Sequence, residues 1–171
     1  MKDKKLILIM GAQASGKTTT SEKILKENPH IHYICSDLYF PTDGEGRRYW
    51  LDAQGDRRCW YTDPLPSEVK DHAYSWAYQQ LIAEMCAGKE ILYEGTLVDR
   101  HSRKKFLGEA KSRDYEVHGI FLVPSLLICA QRNSCRLHPV PDIVLARTYA
   151  KIEIPDHIES EEYVKLEIIE D

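Results

Sequence analysis

The chain has 171 residues, of which 43% are hydrophobic and 29% are charged, with a formal net charge of −4. This size suits a single domain, and the composition excludes an intrinsically disordered chain. The longest apolar run, Leu6–Met10, is far shorter than the roughly 20 residues that a membrane-spanning helix needs.

The predicted elements alternate strand and helix along the chain. The strands are Leu6–Met10, His30–Cys35, Ile91–Tyr93, Glu116–Val123 and Tyr163–Ile169. The helices are Gly16–Glu27, Ser67–Ala87, His101–Ser112, Ser125–Arg136 and Pro141–Ile152. Strands separated by helices pair in parallel through right-handed crossovers. We therefore expect an α/β fold with a five-stranded parallel sheet and helices on both faces.

Two features of the sequence predict a soluble, cytoplasmic protein. No small-residue cleavage site follows the first apolar run, so we expect no secretory signal. The five cysteines include no C-x-x-C pair, which indicates reduced thiols rather than disulfides or a zinc site. We expect no membrane partner.

Residues 11–18 read G-A-Q-A-S-G-K-T and match the pattern G-x-x-x-x-G-K-[ST] at every fixed position. The match lies between a buried strand and a helix, where backbone N–H groups and the helix dipole can bind phosphates. Lys17 would reach the β- and γ-phosphates, and the Thr18 hydroxyl would ligate Mg²⁺. A glycine-rich turn without a ligand is the alternative interpretation. The predicted nucleotide-binding residues are Gly11, Ala12, Gln13, Ala14, Ser15, Gly16, Lys17, Thr18 and Thr19.

ATPases, GTPases and kinases share this loop, so other residues must separate these classes. Asp37 comes directly after the second strand, and Glu94 and Thr96 follow the third. Ligands gather at the carboxyl ends of parallel strands, so these residues should face the phosphate loop. Asp37 could accept the proton of an acceptor hydroxyl, and Glu94 could hold Mg²⁺ through water or bind a substrate hydroxyl. Alternatively, these residues only cap turns at the strand ends.

Arg132 and Arg136 are four residues apart on a predicted helix and therefore lie on one face of it. Arg147 follows, and two prolines separate the two helices. The segment 132–147 is predicted to form a short lid whose arginines stabilise a transferring phosphoryl group. A solvated basic helix face is the alternative.

Taken in this order, the motifs resemble those of small P-loop kinases of the zeta-toxin and polynucleotide-kinase-like group. The segments Tyr93–Leu97 and Lys111–Val117 are especially similar to zeta toxins, and the resemblance covers Lys5–Pro155. It implies a P-loop NTPase fold with a parallel five-stranded core and a short lid that carries arginines. It also implies that ATP and Mg²⁺ are used to transfer a phosphoryl group to a hydroxyl.

The resemblance implies a role for each matching residue. Asp37 is the base, and Glu94 and Thr96 contact the acceptor. Arg132 and Arg136 belong to the lid and, with Lys17, to the catalytic set. Zeta toxins phosphorylate a nucleotide sugar, and polynucleotide kinases phosphorylate 5′-hydroxyl ends, so the resemblance leaves the acceptor open.

Residues 1–171 are expected to form one domain, into which residues 41–66 are inserted. Within the insertion, 47–50 and 57–61 each combine arginines with aromatic residues and flank a turn, which predicts a β-hairpin. Arg47 and Arg48 could hold a phosphate of the acceptor while the rings stack on a base. In the other interpretation the rings pack on the core and the arginines lie in water.

We therefore predict an ATP- and Mg²⁺-dependent kinase that acts on a small, nucleotide-like acceptor. A 5′-hydroxyl kinase for RNA or DNA is one alternative, with nucleic acid as the less favoured partner. The other is a nucleotide-binding module that hydrolyses ATP and signals through a partner protein. Residues 153–171 carry a net charge of −7 and could contact such a partner, although a solvated strand face explains them equally well.

Overall fold

A five-stranded parallel sheet forms the centre of this computed structural model, which describes residues 4–59, 63, 66–137 and 139–170. Its strands are β1 (Lys5–Gly11), β2 (His32–Cys35), β5 (Ile91–Gly95), β6 (Glu116–Leu122) and β7 (Lys165–Ile169), and the two remaining strands are β3 (Tyr49–Leu51) and β4 (Arg57–Cys59). The order across the sheet is β2-β5-β1-β6-β7, and every neighbouring pair is parallel. The predicted α/β fold with a five-stranded parallel sheet is confirmed.

Six α-helices connect or flank the strands in the described part of the chain. They are α1 (Lys17–Glu27), α2 (Ser67–Cys86), α3 (Arg100–Ser112), α4 (Leu126–Ser134), α5 (Asp142–Tyr149) and α6 (His157–Ser160). A short 3₁₀ helix, Ser36–Tyr39, directly follows β2. None of the helices in the described segments has the length and apolar character needed to span a membrane.

The sheet is covered on both faces because the central strand is apolar on both sides. Leu8 of β1 packs with Leu81 of α2 and Phe106 of α3 on one face. Ile9, the next residue of β1, packs on the other face, where α1 contributes Ile24. Successive strand side chains point to opposite faces, so an unbroken apolar run is the pattern of a strand with helices on both sides.

The predicted strand and helix boundaries agree with the structure apart from their ends. The third strand of the sequence prediction continues to Gly95, which places Glu94 inside β5. The 3₁₀ helix after β2 and the four-residue helix α6 were not predicted. Both are single turns, too short to produce a periodic apolar pattern.

The insertion forms an antiparallel pair of strands, β3 and β4, as the sequence predicted. The pair is attached to the chain segment after the 3₁₀ helix: Arg48 donates from Nη1 to the carbonyl of Phe40 at 3.0 Å, and the Tyr49 N–H donates to the carbonyl of Pro41 at 3.1 Å. Trp60 and Tyr61, which the prediction included in the hairpin, lie outside the described residues.

Candidate functional site

The loop between β1 and α1 is wrapped tightly at the carboxyl end of the central strand. Gly11 has φ +150°, and a Cβ atom on it would lie 2.5 Å from the carbonyl oxygen of Leu122 and 2.6 Å from Ser15 Oγ. Gly16, which caps α1, has φ +103°, and Ala14 also has a positive φ. Glycine is required at Gly11 because both the backbone angle and the neighbouring strand exclude a side chain.

The Lys17 side chain folds back over this loop. Its Nζ donates hydrogen bonds to the carbonyl oxygens of Gly11, at 2.9 Å, and Ala12, at 2.6 Å. Burial lowers the pKa of the Lys17 ammonium group, and Glu94, the first of the opposing influences, raises it. A partly buried ammonium group that donates to neutral carbonyls suits a position that an anion can take over.

Polar atoms of the loop also fit a phosphate-bearing ligand. Five buried side-chain atoms in the described segments lack a hydrogen-bond partner there, and two of them, Ser15 Oγ and Gln13 Oε1, belong to this loop. Buried polar groups are nearly always paired, so unpaired ones in such a loop indicate that a ligand completes the bonding. The loop, the lysine and the start of α1 together form an anion-binding cradle.

Glu94 lies directly beneath this cradle and is 5% exposed. Its Oε1 accepts a hydrogen bond from Thr18 Oγ1 at 2.9 Å, and its Oε2 accepts one from Ser21 Oγ and one from the Tyr33 hydroxyl, each at 2.8 Å. The parallel pairing of β5 with β1 puts Glu94 opposite Ile9, two residues before the loop begins. Glu94 therefore contacts the phosphate loop itself.

Asp37 lies in the first turn of the 3₁₀ helix, directly after β2, and is half-buried. Its negative charge acts on Lys17, raising the pKa that burial lowers. It also acts on Tyr74 of α2, whose pKa is raised first by burial and then by Asp37. Asp37 thus lies between the phosphate loop and α2, on the side of the cleft that the insertion borders.

The predicted lid arginines lie around the phosphate loop. Arg132 of α4 donates from Nη1 to the Ser15 carbonyl at 3.4 Å, and the positive charge of Arg136 further lowers the pKa of Lys17. Arg147 is exposed on α5. The turn between α4 and α5 is fixed by Asn133, which donates to the Val140 carbonyl at 2.7 Å and accepts from its N–H at 3.0 Å.

A pocket of about 410 Å³ lies next to the loop. It is bounded by the start of α1, the carboxyl ends of β6 and β7, and α4, through Ser15, Gly16, Thr19, Thr20, Leu122, Pro124, Arg132, Ile169 and Glu170. This volume is in the range of small-ligand sites, about 300–1,000 Å³. It adjoins the anion-binding cradle, which is where the remainder of a phosphate-bearing ligand would extend.

Three of the predicted acceptor residues, Thr96, Arg47 and Arg48, form contacts within the protein. Thr96 is part of the loop framework, because its carbonyl accepts the N–H of Gly11 at 3.0 Å. Arg47 forms ion pairs with Asp43, at 2.7 Å, and Glu45, at 3.1 Å, within its own turn. Arg48 ties the hairpin to Phe40, as described above. The structure brings Asp37, Glu94, Arg132 and Arg136 to the phosphate loop. It keeps Arg47 in the turn that precedes β3, paired with Asp43 and Glu45.

Three residues of the site were not predicted from the sequence. Ser21 and Tyr33 bind Glu94, and Cys35 lies between Tyr33 and Asp37 on β2, where burial raises the pKa of its thiol to about 12. A signal was present for all three. Ser21 follows Thr18 by three positions and so shares its helix face, and Tyr33 and Cys35 are two positions apart on the strand that precedes Asp37 and so share a face of the sheet.

Comparison with known proteins identifies the family and the fold. The family model described as an AAA domain matches residues 6–155. The chain belongs to this AAA-domain family. No curated protein matches the sequence significantly. Solved structures with the same fold show how this AAA domain is related to other P-loop proteins.

Three of these structures align with nearly the whole of this chain. A gluconokinase from Sinorhizobium meliloti 1021 is 18% identical with a TM-score of 0.63, over 99% of this chain and 84% of that one. Chaetomium thermophilum Kti12 in complex with ADP-AlF3 is 18% identical with a TM-score of 0.65, over 96% and 88%. A chain of the PezAT chromosomal toxin–antitoxin system of Streptococcus pneumoniae is 19% identical with a TM-score of 0.61, over 99% and 69%. The predicted resemblance to small P-loop kinases is confirmed at the level of the fold.

Proposed function

We propose that the protein is an ATP- and Mg²⁺-dependent phosphotransferase that moves the γ-phosphate to a hydroxyl of a small, nucleotide-like molecule. The observation that carries the proposal is the hydrogen bond from Thr18 Oγ1 to Glu94 Oε1 at 2.9 Å. It joins the phosphate loop to an acidic residue at the end of the neighbouring strand. A loop hydroxyl and such a carboxylate are the groups that hold Mg²⁺ in P-loop proteins.

On the donor side, residues 11–19 and the adjoining pocket would bind the nucleotide. Lys17 would exchange its two carbonyl partners for phosphate oxygens, and Arg132 and Arg136 would add positive charge from the lid. Thr18 would hold Mg²⁺ directly, with Glu94 behind it. The metal, when bound, neutralises negative charge on the phosphates.

On the acceptor side, Asp37 would act as the general base. It takes the proton of the acceptor hydroxyl as the hydroxyl oxygen bonds to the γ-phosphorus and the bond from that phosphorus to the ADP oxygen breaks. Lys17 and the lid arginines stabilise the charge on the transferring group. This arrangement separates the proton-accepting carboxylate, Asp37, from the metal-side carboxylate, Glu94.

The surface beside Asp37 supports an acceptor that contains a flat ring. Tyr39 and Tyr74 are 40% and 42% exposed, and the Tyr39 ring rests on the ring of Trp76 at a centroid distance of 6.0 Å. Partly exposed aromatic rings can hold a base or a sugar by stacking. We include Thr96, Arg47 and Arg48 in the proposed acceptor region, with Arg48 acting through the position of the hairpin.

The charges of the hairpin favour a small acceptor over a nucleic acid. Arg47 pairs with Asp43, Arg58 pairs with Asp52 at 2.7 Å, and the Arg57 guanidinium lies over the Tyr49 ring at 4.6 Å. Arginines that are neutralised by neighbouring carboxylates provide little attraction for a polyanionic backbone.

The test is transfer of labelled γ-phosphate from ATP to a panel of nucleosides, nucleotide sugars, free sugars and 5′-hydroxyl oligonucleotides. We expect a labelled small molecule with wild type, and loss of transfer in Asp37→Asn with ADP binding retained. Asp71→Asn, at an exposed position of α2, is the matched control. Label found only as free phosphate across the whole panel would favour a nucleotide-hydrolysing module, and full activity of Asp37→Asn would exclude Asp37 as the base.

A further inference from the structure

The Glu94 carboxylate is held by hydroxyl groups from two directions. Thr18 and Ser21 approach from α1, and Tyr33 approaches from the edge strand β2. In the described parts of the chain, no lysine, arginine or histidine nitrogen lies within 4.0 Å of it. Three O–H donors on two oxygens suit an ionised carboxylate, which can only accept.

A buried carboxylate bonded by neutral hydroxyls is costly to desolvate. The charge of Lys17 acts on Glu94 without a hydrogen bond between them, and a cation bound beside Thr18 would offset more of that cost. Thr18 is exposed although its hydroxyl is bonded to Oε1. The second oxygen, Oε2, faces away from the loop and is fully engaged by Ser21 and Tyr33.

Tyr33 reaches Glu94 because of the strand register. Cys35 pairs directly with Glu94, so Tyr33 lies two positions earlier on the same face of the sheet. Diagonal neighbours on adjacent strands are within reach of long aromatic side chains. The phenol therefore approaches the carboxylate from β2, on the face of the sheet that α1 also covers.

We propose that Tyr33 is a positioning residue of the metal site: its hydroxyl, with that of Ser21, fixes Oε2 of Glu94 and so keeps Oε1 on Thr18 for the metal. This inference rests on the proposed function. Tyr33 touches neither nucleotide nor metal and acts only through Glu94. Without its hydroxyl, Oε2 keeps only the hydrogen bond from Ser21, and the carboxylate is held less firmly in the orientation that places Oε1 at Thr18.

The variant Tyr33→Phe removes only this hydroxyl. Loss of such an outer hydrogen-bond partner lowers metal affinity by about 10- to 100-fold. We therefore expect the affinity of the ADP complex for Mn²⁺, followed by electron paramagnetic resonance titration, to fall by about 10-fold or more. The affinity for ADP in the presence of a chelator should be unchanged. Ser21→Ala should shift Mn²⁺ binding in the same direction because Ser21 bonds the same oxygen.

The matched control is Tyr115→Phe. Tyr115 is also buried, and its hydroxyl donates to the carbonyl of Lys89 at 2.8 Å, remote from the loop. Tyr115→Phe should lower the free energy of unfolding and leave Mn²⁺ binding unchanged.

Each result decides the inference. Unchanged Mn²⁺ binding in Tyr33→Phe overturns it, and so does an equal loss of metal-free ADP binding or of cooperative unfolding, because either would show that Tyr33 is only structural. If the wild-type ADP complex binds no Mn²⁺, or the wild-type protein binds no nucleotide, the proposed function fails as well.

Discussion

The substitution Gly11→Ala tests whether the shape of the phosphate loop depends on close approach to the neighbouring strand. The added Cβ would lie 2.5 Å from the carbonyl oxygen of Leu122 and 2.6 Å from Ser15 Oγ, where ordinary contacts begin at 3.4 Å. The Ser15 side chain can rotate away, but the Leu122 carbonyl cannot move, because Leu122 is paired with Gly11 in the parallel ladder between β1 and β6.

Two costs follow from this geometry. A non-glycine residue held in a sparsely populated backbone region costs about 1–3 kcal/mol, and overpacking a tight site costs about 1–3 kcal/mol. Because a small shift of β1 relieves both together, we expect the free energy of unfolding to fall by about 3 kcal/mol rather than by the full total. Most domains have about 5–15 kcal/mol of stability, so the variant should still fold.

Urea denaturation followed by circular dichroism measures the stability change, and calorimetric titration with ADP measures the consequence for the loop. Gly44→Ala is the control, since a Cβ at Gly44 has nothing within 4 Å and its φ lies outside the left-handed region. The control should change stability by less than about 0.5 kcal/mol. Wild-type stability together with wild-type ADP affinity in Gly11→Ala would refute the view that this contact shapes the loop.

Three further substitutions test other parts of the site. Arg103→Met leaves Glu159 buried without its partner and should lower the free energy of unfolding by about 3–5 kcal/mol, measured by urea denaturation; a change under about 1 kcal/mol would contradict this. Arg132→Ala should weaken ADP binding by about 10-fold in calorimetric titration, with stability unchanged, and equal affinity would remove Arg132 from the nucleotide site. Arg48→Ala releases the hairpin from Phe40 and should raise the KM for the acceptor but not for ATP, so a rise confined to the ATP KM would contradict its placement.

The phosphate loop could be predicted from the sequence because its function is local. The backbone of the cradle belongs to the single segment 11–18, and Gly11 and Gly16 occur where positive backbone angles are needed. The position of Asp37 was also predictable, since it requires only that the carboxyl ends of parallel strands meet at one edge of the sheet. These inferences need no knowledge of which strands are neighbours.

The environment of Glu94 could not be predicted in the same way. The sequence analysis left open whether this carboxylate serves the metal or the acceptor, and the resemblance favoured the acceptor. Our proposal assigns it to the metal side, because β5 lies directly beside β1 and brings Glu94 to within 2.9 Å of the Thr18 hydroxyl. Sheet order depends on long-range packing that no single segment encodes. Ser21 and Tyr33 could be interpreted only after that order was known.

The structural role of the acidic C-terminal segment is the clearest example of a feature that could not be predicted from the sequence. By charge alone, Glu159 belongs to a solvated or partner-binding tail, yet it is 2% exposed and binds the fully buried Arg103 at 2.5 Å and 3.0 Å. Arg103 also donates to the carbonyl of Val98 at 2.9 Å, and this holds the loop that follows β5. Two residues earlier in that loop, the carbonyl of Thr96 accepts the N–H of Gly11. The C-terminal segment therefore supports the phosphate loop through a continuous series of contacts, which gives at least one of its acidic residues a structural role that does not require a partner protein.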